Sequence, residues 1–257
     1  MNNTDTVLIT GASSGIGREL AKVFALHSYN LILVSRSTEK LRKLANQLMD
    51  EHKIRVDIIG QDLSKIGAAK KLFESVMDRN LEVDILVNNA GIGYVGLFNE
   101  MEVEKDIEML QLNIITLTEL TKLFSREMIK RKKGKILNLA STGSFVPGPF
   151  IATYYATKAY VLSFSKAIYK ELKPYNIIVT TLCPGATKTN FAKAAGRENS
   201  SLAMEPNKVA KTAYIGLKNN KRVIIPGLAN KILVRLPSNL VSNMVFKYQK
   251  KLAGKEK

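Results

Sequence analysis

Tyr154 and Lys158 are two side chains whose types and spacing suit proton transfer. They stand four residues apart, so in a helix the phenol and the ammonium emerge from one face, one turn apart. A free phenol has a pKa of about 10, and a neighbouring positive charge favours the phenolate and brings that pKa closer to a useful acid–base range. A surface tyrosine–lysine pair has the same spacing, so other motifs must support this interpretation.

A glycine-rich turn is the second chemical feature, at residues 10–17 with the sequence TGASSGIG. It follows a β-branched run and precedes a helical segment. Glycines let the backbone approach a ligand closely, and free N–H groups at a helix N-terminus favour negative charge. The spacing is GxxxGxG rather than the general GxGxxG. A dinucleotide pyrophosphate would fit such a turn, although a tight strand-to-helix connection alone would also explain it.

The elements that position these residues alternate along the chain, with short β-branched runs separated by amphipathic helical segments. This alternation predicts an α/β fold with one doubly wound, seven-stranded parallel sheet, helices on both faces, and a single domain. The predicted strands are Thr6–Thr10, Asn30–Ser35, Ile54–Ile59, Val83–Asn88, Lys135–Ala140, Ile177–Cys183 and Arg222–Ile225. The predicted helices are Arg18–His27, Glu39–Glu51, Lys65–Arg79, Ile114–Lys132 and Tyr154–Leu172, and another begins at Glu205-Pro206.

Two segments depart from this alternation. Residues 186–204 are polar and rich in small side chains, and they follow the sixth strand, where a substrate loop is expected. Residues 227–257 form a basic amphipathic C-terminal extension of the domain made by residues 1–226.

The turn TGASSGIG is similar to the cofactor motif of the short-chain dehydrogenase/reductase family. Further landmarks of that family follow in order between about residue 6 and residue 190. They are Asp62 in DLS, Asn88 to Gly91 as NNAG, Asn113, Ser141, the YxxxK pair, and Pro184-Gly185 followed by Thr189. The fuller pattern YxATK selects Tyr154 over the neighbouring phenol Tyr155. The resemblance implies a Rossmann-type fold and hydride transfer between a nicotinamide and a carbonyl or alcohol.

Four catalytic residues are implied by this resemblance: Asn113, Ser141, Tyr154 and Lys158. Tyr154 would transfer the proton, and Lys158 would also bond the nicotinamide ribose. Ser141 would bond the substrate oxygen, with Ser144 as a weaker candidate. The helix backbone at Asn113 would hold a water that links the lysine to solvent, and a capping role is compatible with this position.

The end of the second strand indicates which cofactor is bound. NAD-specific relatives usually carry an acidic residue there, which would repel an adenosine 2′-phosphate. This chain has Ser35-Arg36 instead, and a planar guanidinium suits phosphate binding. NADP(H) is therefore the expected cofactor, with NAD(H) second. The neutral Ser14, where many NADP-binding relatives have a basic residue, argues in the other direction.

Other cofactor contacts follow from the family pattern. Asp62 would bond the adenine amine, Leu63 would supply a backbone contact, and Thr187 or the better-placed Thr189 would bond the nicotinamide carboxamide. The predicted cofactor-binding residues are Gly11, Ser13, Ser14, Gly15, Ile16, Gly17, Ser35, Arg36, Asp62, Leu63, Asn89, Ala90, Gly91, Tyr154, Lys158, Pro184, Gly185, Thr187 and Thr189.

The expected function is thus an NADP(H)-dependent oxidoreductase for a carbonyl or secondary alcohol on an apolar substrate, such as a keto-lipid, 3-oxoacyl, steroid or xenobiotic carbonyl. A binding protein that senses NADP(H) without turnover is the alternative, and the retained serine, tyrosine and lysine argue against it. His27 and His52 lie away from every motif, so no metal site is expected. The resemblance also implies a homodimer or homotetramer built through the predicted helices Asn113–Lys132 and Tyr154–Leu172.

The charge balance restricts the partners, because 39 Lys and Arg against 22 Asp and Glu give +17 over 257 residues. A nucleic-acid partner is not expected, since no recognition motif accompanies this charge. The basic tail leaves two interpretations open, a packed helix with solvated lysines and a peripheral membrane contact. A single cysteine and no signal-peptide pattern predict a cytoplasmic protein, with membrane-surface association as the variant.

Overall fold

The computed structural model describes residues 5–195 and 203–253. Within them, seven parallel strands form one sheet in the order β3-β2-β1-β4-β5-β6-β7. The strands are β1 Thr6–Thr10, β2 Asn30–Ser35, β3 Val56–Gly60, β4 Ile85–Asn88, β5 Gly134–Leu139, β6 Ile177–Leu182 and β7 Val223–Ile224. The predicted fold class, a single Rossmann-type domain with a seven-stranded parallel sheet, is confirmed.

Helices cover both faces of this sheet. They are α1 Gly15–Leu26, α2 Thr38–His52, α3 Ala68–Asp78, α4 Val103–Leu110, α5 Leu117–Arg131, α6 Ala152–Leu172, α7 Asn190–Ala194, α8 Pro206–Lys218, α9 Leu228–Leu233 and α10 Ser238–Ala253. Helices α1, α2 and α8 pack in one core cluster, and α3, α5 and α6 pack in the other.

The strands read as continuous apolar runs because both faces of the sheet are covered. In β1, Val7 and Ile9 point into the cluster with α1 and α8, whereas Leu8 points into the cluster with α3 and α5. All three side chains are fully buried. Successive side chains of a strand alternate between faces, so each strand supplies both cores.

The order of the strands reverses direction between β1 and β4, which are hydrogen-bonded neighbours. In doubly wound sheets ligands bind at the carboxyl ends of the strands, at such a switch point. The glycine turn after β1 and the NNAG stretch after β4 therefore lie side by side there.

The helix predicted to begin at Ile114 begins earlier in the structure. Helix α4 starts at Val103 and continues through a π-helical turn, Gln111–Thr116, into α5. The apolar residues Val103, Ile107 and Leu110 stand at helical spacing on α4 but are exposed, so the apolar stripe of this helix faces away from the core.

The C-terminal extension forms α9 and α10 on either side of Pro237, as its apolar spacing predicts. The predicted substrate loop, residues 186–204, includes the short helix α7, while residues 196–202 lie outside the described part of the chain.

Candidate active site

Lys158 lies at the centre of the site, on α6, where the residue is only 5% exposed. Its Nζ donates a hydrogen bond of 2.9 Å to the carbonyl oxygen of Leu139, at the end of β5. Burial lowers its pKa from 10.5 to about 8, because the ammonium has lost most of its hydration. The ammonium is thus held in a desolvated position at the end of β5.

The ring of Tyr154, one helical turn before Lys158, lies directly beside that ammonium. The Nζ atom is 5.7 Å from the centroid of the phenol ring. The ring also packs on Phe191 of α7, with centroids 5.4 Å apart. A Cβ atom on Gly93 would approach both rings to within 3 Å, so the glycine is what allows this backbone to pass them.

Ser141 is the N-cap residue of a short 3₁₀ turn, Thr142–Phe145, that follows β5. Its Oγ accepts a hydrogen bond of 3.0 Å from the N–H of Gly143. This bond uses a lone pair, so the hydroxyl proton can be donated to a substrate oxygen. The hydroxyl of Ser144, the weaker candidate, donates to the carbonyl oxygen of Lys158 at 2.7 Å and accepts from the N–H of Ser141 at 3.2 Å. Ser144 therefore ties the serine turn to the lysine helix.

Tyr155, the competing phenol, packs against the backbone next to this turn. A Cβ atom on Gly143 or Gly148 would collide with its ring. The ring of Tyr155 therefore fills the space beside two glycines.

Asn113 is fully buried in the π-helical turn between α4 and α5. Its side-chain amide accepts from the N–H of Ile92 at 3.0 Å and donates to the carbonyl oxygen of Ile92 at 2.8 Å. It also donates to Oγ1 of Thr157, the neighbour of Lys158, at 3.1 Å. A Cβ atom on Gly91 would lie 3.1 Å from the Asn113 Oδ1 and 3.3 Å from the Lys158 Nζ, so these three residues are packed together.

The glycine turn after β1 is held in place by the NNAG stretch after β4. The Nδ2 atom of Asn89 donates to the carbonyl oxygens of Thr10 and Gly11 at 2.8 and 3.1 Å. The Thr10 hydroxyl accepts from the N–H groups of Asn89 and Ala90, each at 3.0 Å. Asn89 thus shapes the turn, while Asn88 points into the core and donates to Thr121 and Asn138.

Two glycines of the turn adopt backbone conformations that other residues avoid, with φ of +67° at Gly11 and +57° at Gly15. Gly17 has no room for a side chain, because a Cβ atom would collide with the Gly11 carbonyl and the Asn89 amide. Ser14 is the N-cap residue of α1, and Ser13 and Ile16 are partly exposed beside it. The turn therefore presents backbone at the start of a helix, which suits a pyrophosphate.

The end of β2 presents Ser35 and Arg36. The Ser35 side chain is buried and its hydroxyl donates to the carbonyl oxygen of Ser37 at 3.4 Å, while Arg36 is exposed. Burial raises the pKa of Asp62, but hydrogen bonds from Ser64 and the charges of Arg36 and Lys65 outweigh it and hold the pKa below its usual value. Asp62 is therefore an ionised acceptor near the Arg36 cation.

The backbone near Leu63 is connected to the π-helical turn. The carbonyl oxygen of Leu63 accepts from the hydroxyl of Thr116 at 2.9 Å. This bond places the loop after β3 next to the helix that carries Asn113.

The loop after β6 carries Pro184, Gly185, Thr187 and Thr189. The Thr187 hydroxyl donates to the carbonyl oxygen of Gly185 at 2.9 Å, and Thr189 Oγ1 accepts from the N–H of Phe191 at 3.3 Å. A Cβ atom on Gly15 would lie 3.1 Å from the Thr189 side chain. Thr189 is therefore packed directly against the glycine turn.

The two ends of the substrate loop are bonded to each other. The N–H of Met204 donates to the Ala186 carbonyl at 2.8 Å, and the N–H of Lys188 donates to the Met204 carbonyl at 2.9 Å. An ion pair of 2.6 Å between Lys188 and Glu205 also joins the two ends of this loop.

Asn230 of α9 is a site residue that the sequence motifs did not reveal. Its Nδ2 donates to the Pro226 carbonyl at 2.7 Å and lies 3.6 Å from the sulfur of Met204. A Cβ atom on Gly185 would collide with this amide. The tail thus buttresses both the Pro-Gly motif and the base of the substrate loop.

In the part of the chain that the structure describes, no group of three or more His, Cys, Asp and Glu side chains could hold a metal ion. The lone thiol, Cys183, is buried at the end of β6, and burial raises its pKa to about 12. The thiol of Cys183 is therefore held in its neutral form.

Known proteins share this arrangement of strands. The family model for short chain dehydrogenases matches residues 5–200. A very-long-chain 3-oxoacyl-CoA reductase from Anas platyrhynchos is 28% identical, over 96% of this chain and 81% of the relative. A solved short-chain dehydrogenase from Sphingobium yanoikuyae in complex with NADPH is 30% identical, with a TM-score of 0.84 over 97% of this chain and 95% of that one.

The bulky-bulky ketone specific alcohol dehydrogenase from Comamonas testosteroni is also 30% identical, with a TM-score of 0.80 over 99% of this chain and 95% of that one. The family model covers most of the chain, and these alignments cover nearly all of it. The chain belongs to the short-chain dehydrogenase/reductase family and is an oxidoreductase that acts on carbonyl or alcohol groups.

Proposed function

We propose that the protein is an NADP(H)-dependent enzyme that interconverts a ketone and a secondary alcohol on an apolar substrate, in the reducing environment of the cytoplasm. The observation that carries this proposal is the buried ammonium of Lys158, 5.7 Å from the ring centroid of Tyr154. A protein that only bound the cofactor could use Lys158 on the nicotinamide ribose but would have no need for a phenol beside it.

The residues present fit a nicotinamide dinucleotide. The glycine turn offers backbone N–H groups at the N-terminus of α1 for the pyrophosphate. At the end of β2, Arg36 offers a planar cation to an adenosine 2′-phosphate, and Ser35 adds no negative charge there. Ionised Asp62 would accept from the adenine amine. This set supports NADP(H) over NAD(H).

The cofactor supplies or accepts the hydride when it is bound. Tyr154 donates the proton to the substrate oxygen during reduction and accepts it during oxidation. Ser141 donates a hydrogen bond to the same oxygen and stabilises the charge that develops on it. Lys158 holds positive charge beside the phenol, which favours the phenolate that remains after proton transfer. Asn113 fixes the helix turn next to Thr157 and so positions the lysine.

The walls around Tyr154 support an apolar substrate. Phe191 packs on the phenol, with ring centroids 5.4 Å apart. The names of the relatives agree with this character, since one reduces very-long-chain 3-oxoacyl-CoA and another is specific for bulky ketones. We therefore propose a keto-lipid, 3-oxoacyl, steroid or xenobiotic carbonyl as the substrate.

A panel of such carbonyls and the matching alcohols, followed by NADPH absorbance in parallel with NADH, tests this proposal. In Tyr154→Phe, kcat should fall by roughly 10²- to 10⁴-fold, because proton transfer is lost. NADPH binding should persist in that variant. Tyr155→Phe is the matched control and should retain activity. NADPH binding without turnover of any substrate by the unaltered protein would instead identify a cofactor sensor.

We also propose a homodimer or homotetramer, as is general in this family, assembled through residues 113–132 and α6. Ile115 is an exposed apolar residue in the first segment, and the hydroxyls of Thr118 and Tyr160 share a hydrogen bond of 3.0 Å between the two. On α6, Tyr160 stacks on Phe164 with ring centroids 5.6 Å apart. Light scattering on the purified protein measures the assembly directly.

A further inference from the structure

The last two helices carry exposed apolar side chains at every fourth residue. On α9 these are Leu228 and Ile232, which are 74% and 55% exposed. On α10 they are Leu240, Met244 and Tyr248, which are about half exposed. A spacing of four places the three residues of α10 in one stripe along the helix, here called the C-terminal stripe.

Other residues of α10 anchor this helix to the protein. Val241 and Gln249 are buried, and the ring of Phe246 packs on Phe150 with centroids 5.6 Å apart. The stripe therefore lies on a helix that is packed against the protein, so its exposure does not come from a detached tail.

All charged residues of the same segment are basic. Residues 227–253 contain five Lys and Arg and no Asp or Glu. Lys231 and Arg235 near α9 are exposed, and so are Lys247 and Lys250 on α10. The helix positions of Lys247 and Lys250 place both on one flank of the C-terminal stripe. Apolar residues bordered by cations on an amphipathic helix are the features that bind an anionic lipid surface.

We propose that α9 and α10 dock this protein onto the surface of an anionic lipid bilayer. The C-terminal stripe enters the boundary between headgroups and acyl chains, and the flanking lysines contact acidic headgroups. A second copy of the chain is a poorer occupant, because a two-fold interface would bring two identical basic patches together without any carboxylate to compensate. The described residues include no helix long and apolar enough to span a bilayer, so the contact is with the surface.

The docked orientation would have a consequence for the site. Asn230 of α9 contacts the base of the substrate loop at Met204 and packs against Gly185. A lipid surface bound at α9 would therefore lie near the entrance that an apolar substrate would use.

Flotation with two kinds of vesicle tests the proposal. We expect the full chain to float with phosphatidylcholine vesicles that contain about one third phosphatidylglycerol, and to remain unbound with phosphatidylcholine alone. Added salt should release it, because the attraction between surface charges is screened. Each lysine near an anionic surface contributes about fivefold to partitioning, so Lys247→Glu with Lys250→Glu should lower the partition coefficient by roughly 30-fold or more.

The matched charge control is Lys40→Glu with Lys43→Glu, which has the same spacing on exposed positions of α2, near the opposite edge of the sheet. The apolar pair Leu240→Gln with Met244→Gln should also abolish binding. Its control is Leu26→Gln with Ile66→Gln, two exposed apolar residues elsewhere. Melting temperature and NADPH binding establish that each variant is folded.

Three results would overturn the proposal. One is no flotation of the unaltered chain with anionic vesicles. Another is an equal loss of binding in the α2 control, which would mean that the net charge of +17 acts without a dedicated surface. The third is conversion of an oligomer to a monomer by the α10 substitutions with lipid binding unchanged, which would identify the stripe as an interface between copies.

Discussion

Lys158 gives the sharpest prediction, because the structure places an ammonium in an almost fully buried position. Its pKa falls from 10.5 to about 8 through burial. One pKa unit corresponds to about 1.4 kcal/mol, so keeping this charge in the folded protein costs about 3 kcal/mol. The cost should appear as a dependence of stability on pH.

The sign of that dependence follows from the two pKa values. Below about pH 8 the lysine is protonated in both the folded and the unfolded chain, and the folded state bears the whole cost. Between about 8 and 10.5 the folded chain releases its proton first, so the unfolded chain binds more protons and stability rises with pH. Above 10.5 both forms are neutral, and the cost is gone.

The measurement compares cofactor-free Tyr154→Phe with the double variant Tyr154→Phe, Lys158→Met. Both lack the phenol, so coupling between the phenol and the lysine cannot contribute to the difference. Urea unfolding followed by circular dichroism at several pH values gives the free energy of unfolding of each. We expect the protein that retains Lys158 to gain up to about 3 kcal/mol relative to the double variant between pH 8 and 10.5.

Two parallel stability curves would refute this reasoning. A difference that stays constant across the interval would mean that Lys158 keeps its hydration in the folded protein. A relative loss of stability with rising pH would mean that a buried carboxylate or another anion compensates the ammonium, which would raise its pKa instead.

Three further substitutions test the rest of the site. Arg36→Asp should lower the ratio of kcat/KM with NADPH to kcat/KM with NADH by on the order of 100-fold, because a charge-assisted bond to the 2′-phosphate is replaced by repulsion. An unchanged ratio would contradict the role of Arg36. Gly17→Ala should raise the KM for the cofactor at least about tenfold, because its Cβ would displace the Gly11 carbonyl. Gly67→Ala, at a positive φ with nothing within 4 Å of the new Cβ, is the control and should cost only about 1 kcal/mol of stability, measured by urea unfolding. Asn230→Ala should lower the free energy of unfolding by about 1 kcal/mol and raise the KM for the cofactor, whereas Asn239→Ala, at an exposed position, should change neither.

The strands could be predicted from the sequence because a parallel sheet covered on both faces needs continuous apolar runs. β1 and β2 have the predicted bounds, while β3 and β4 begin two residues later than expected. Helix α4 was not predicted, although Val103 and Ile107 stand four residues apart as in an amphipathic helix, and the structure leaves both exposed. The π-helical turn at Gln111–Thr116 also changes the spacing between α4 and α5, so one helical period cannot run through both.

The site residues could be named from motifs, but the bonds that position them could not. The amide of Asn113 joins the backbone of Ile92 to Thr157, residues that are distant in sequence. Asn230 was missed for the same reason, since its function lies in a contact with Gly185 across the fold. The amide of Asn230 occupies the space that a side chain at position 185 would fill. Such a contact leaves no periodic pattern in the sequence.

The bonds around Lys158 explain how the fold tolerates a charge that destabilises it. The Ser144 hydroxyl holds the Lys158 carbonyl, Asn113 holds the adjacent Thr157, and Gly91 leaves space beside the Nζ atom. These contacts fix the backbone and the surroundings of the lysine, while the ammonium itself donates a hydrogen bond to the carbonyl oxygen of Leu139. An ammonium has three donors, so a lysine in this rigid setting would bond a ligand hydroxyl without reorganisation. In the proposed reaction, the stability lost at this position accompanies the affinity and catalysis that Lys158 would provide.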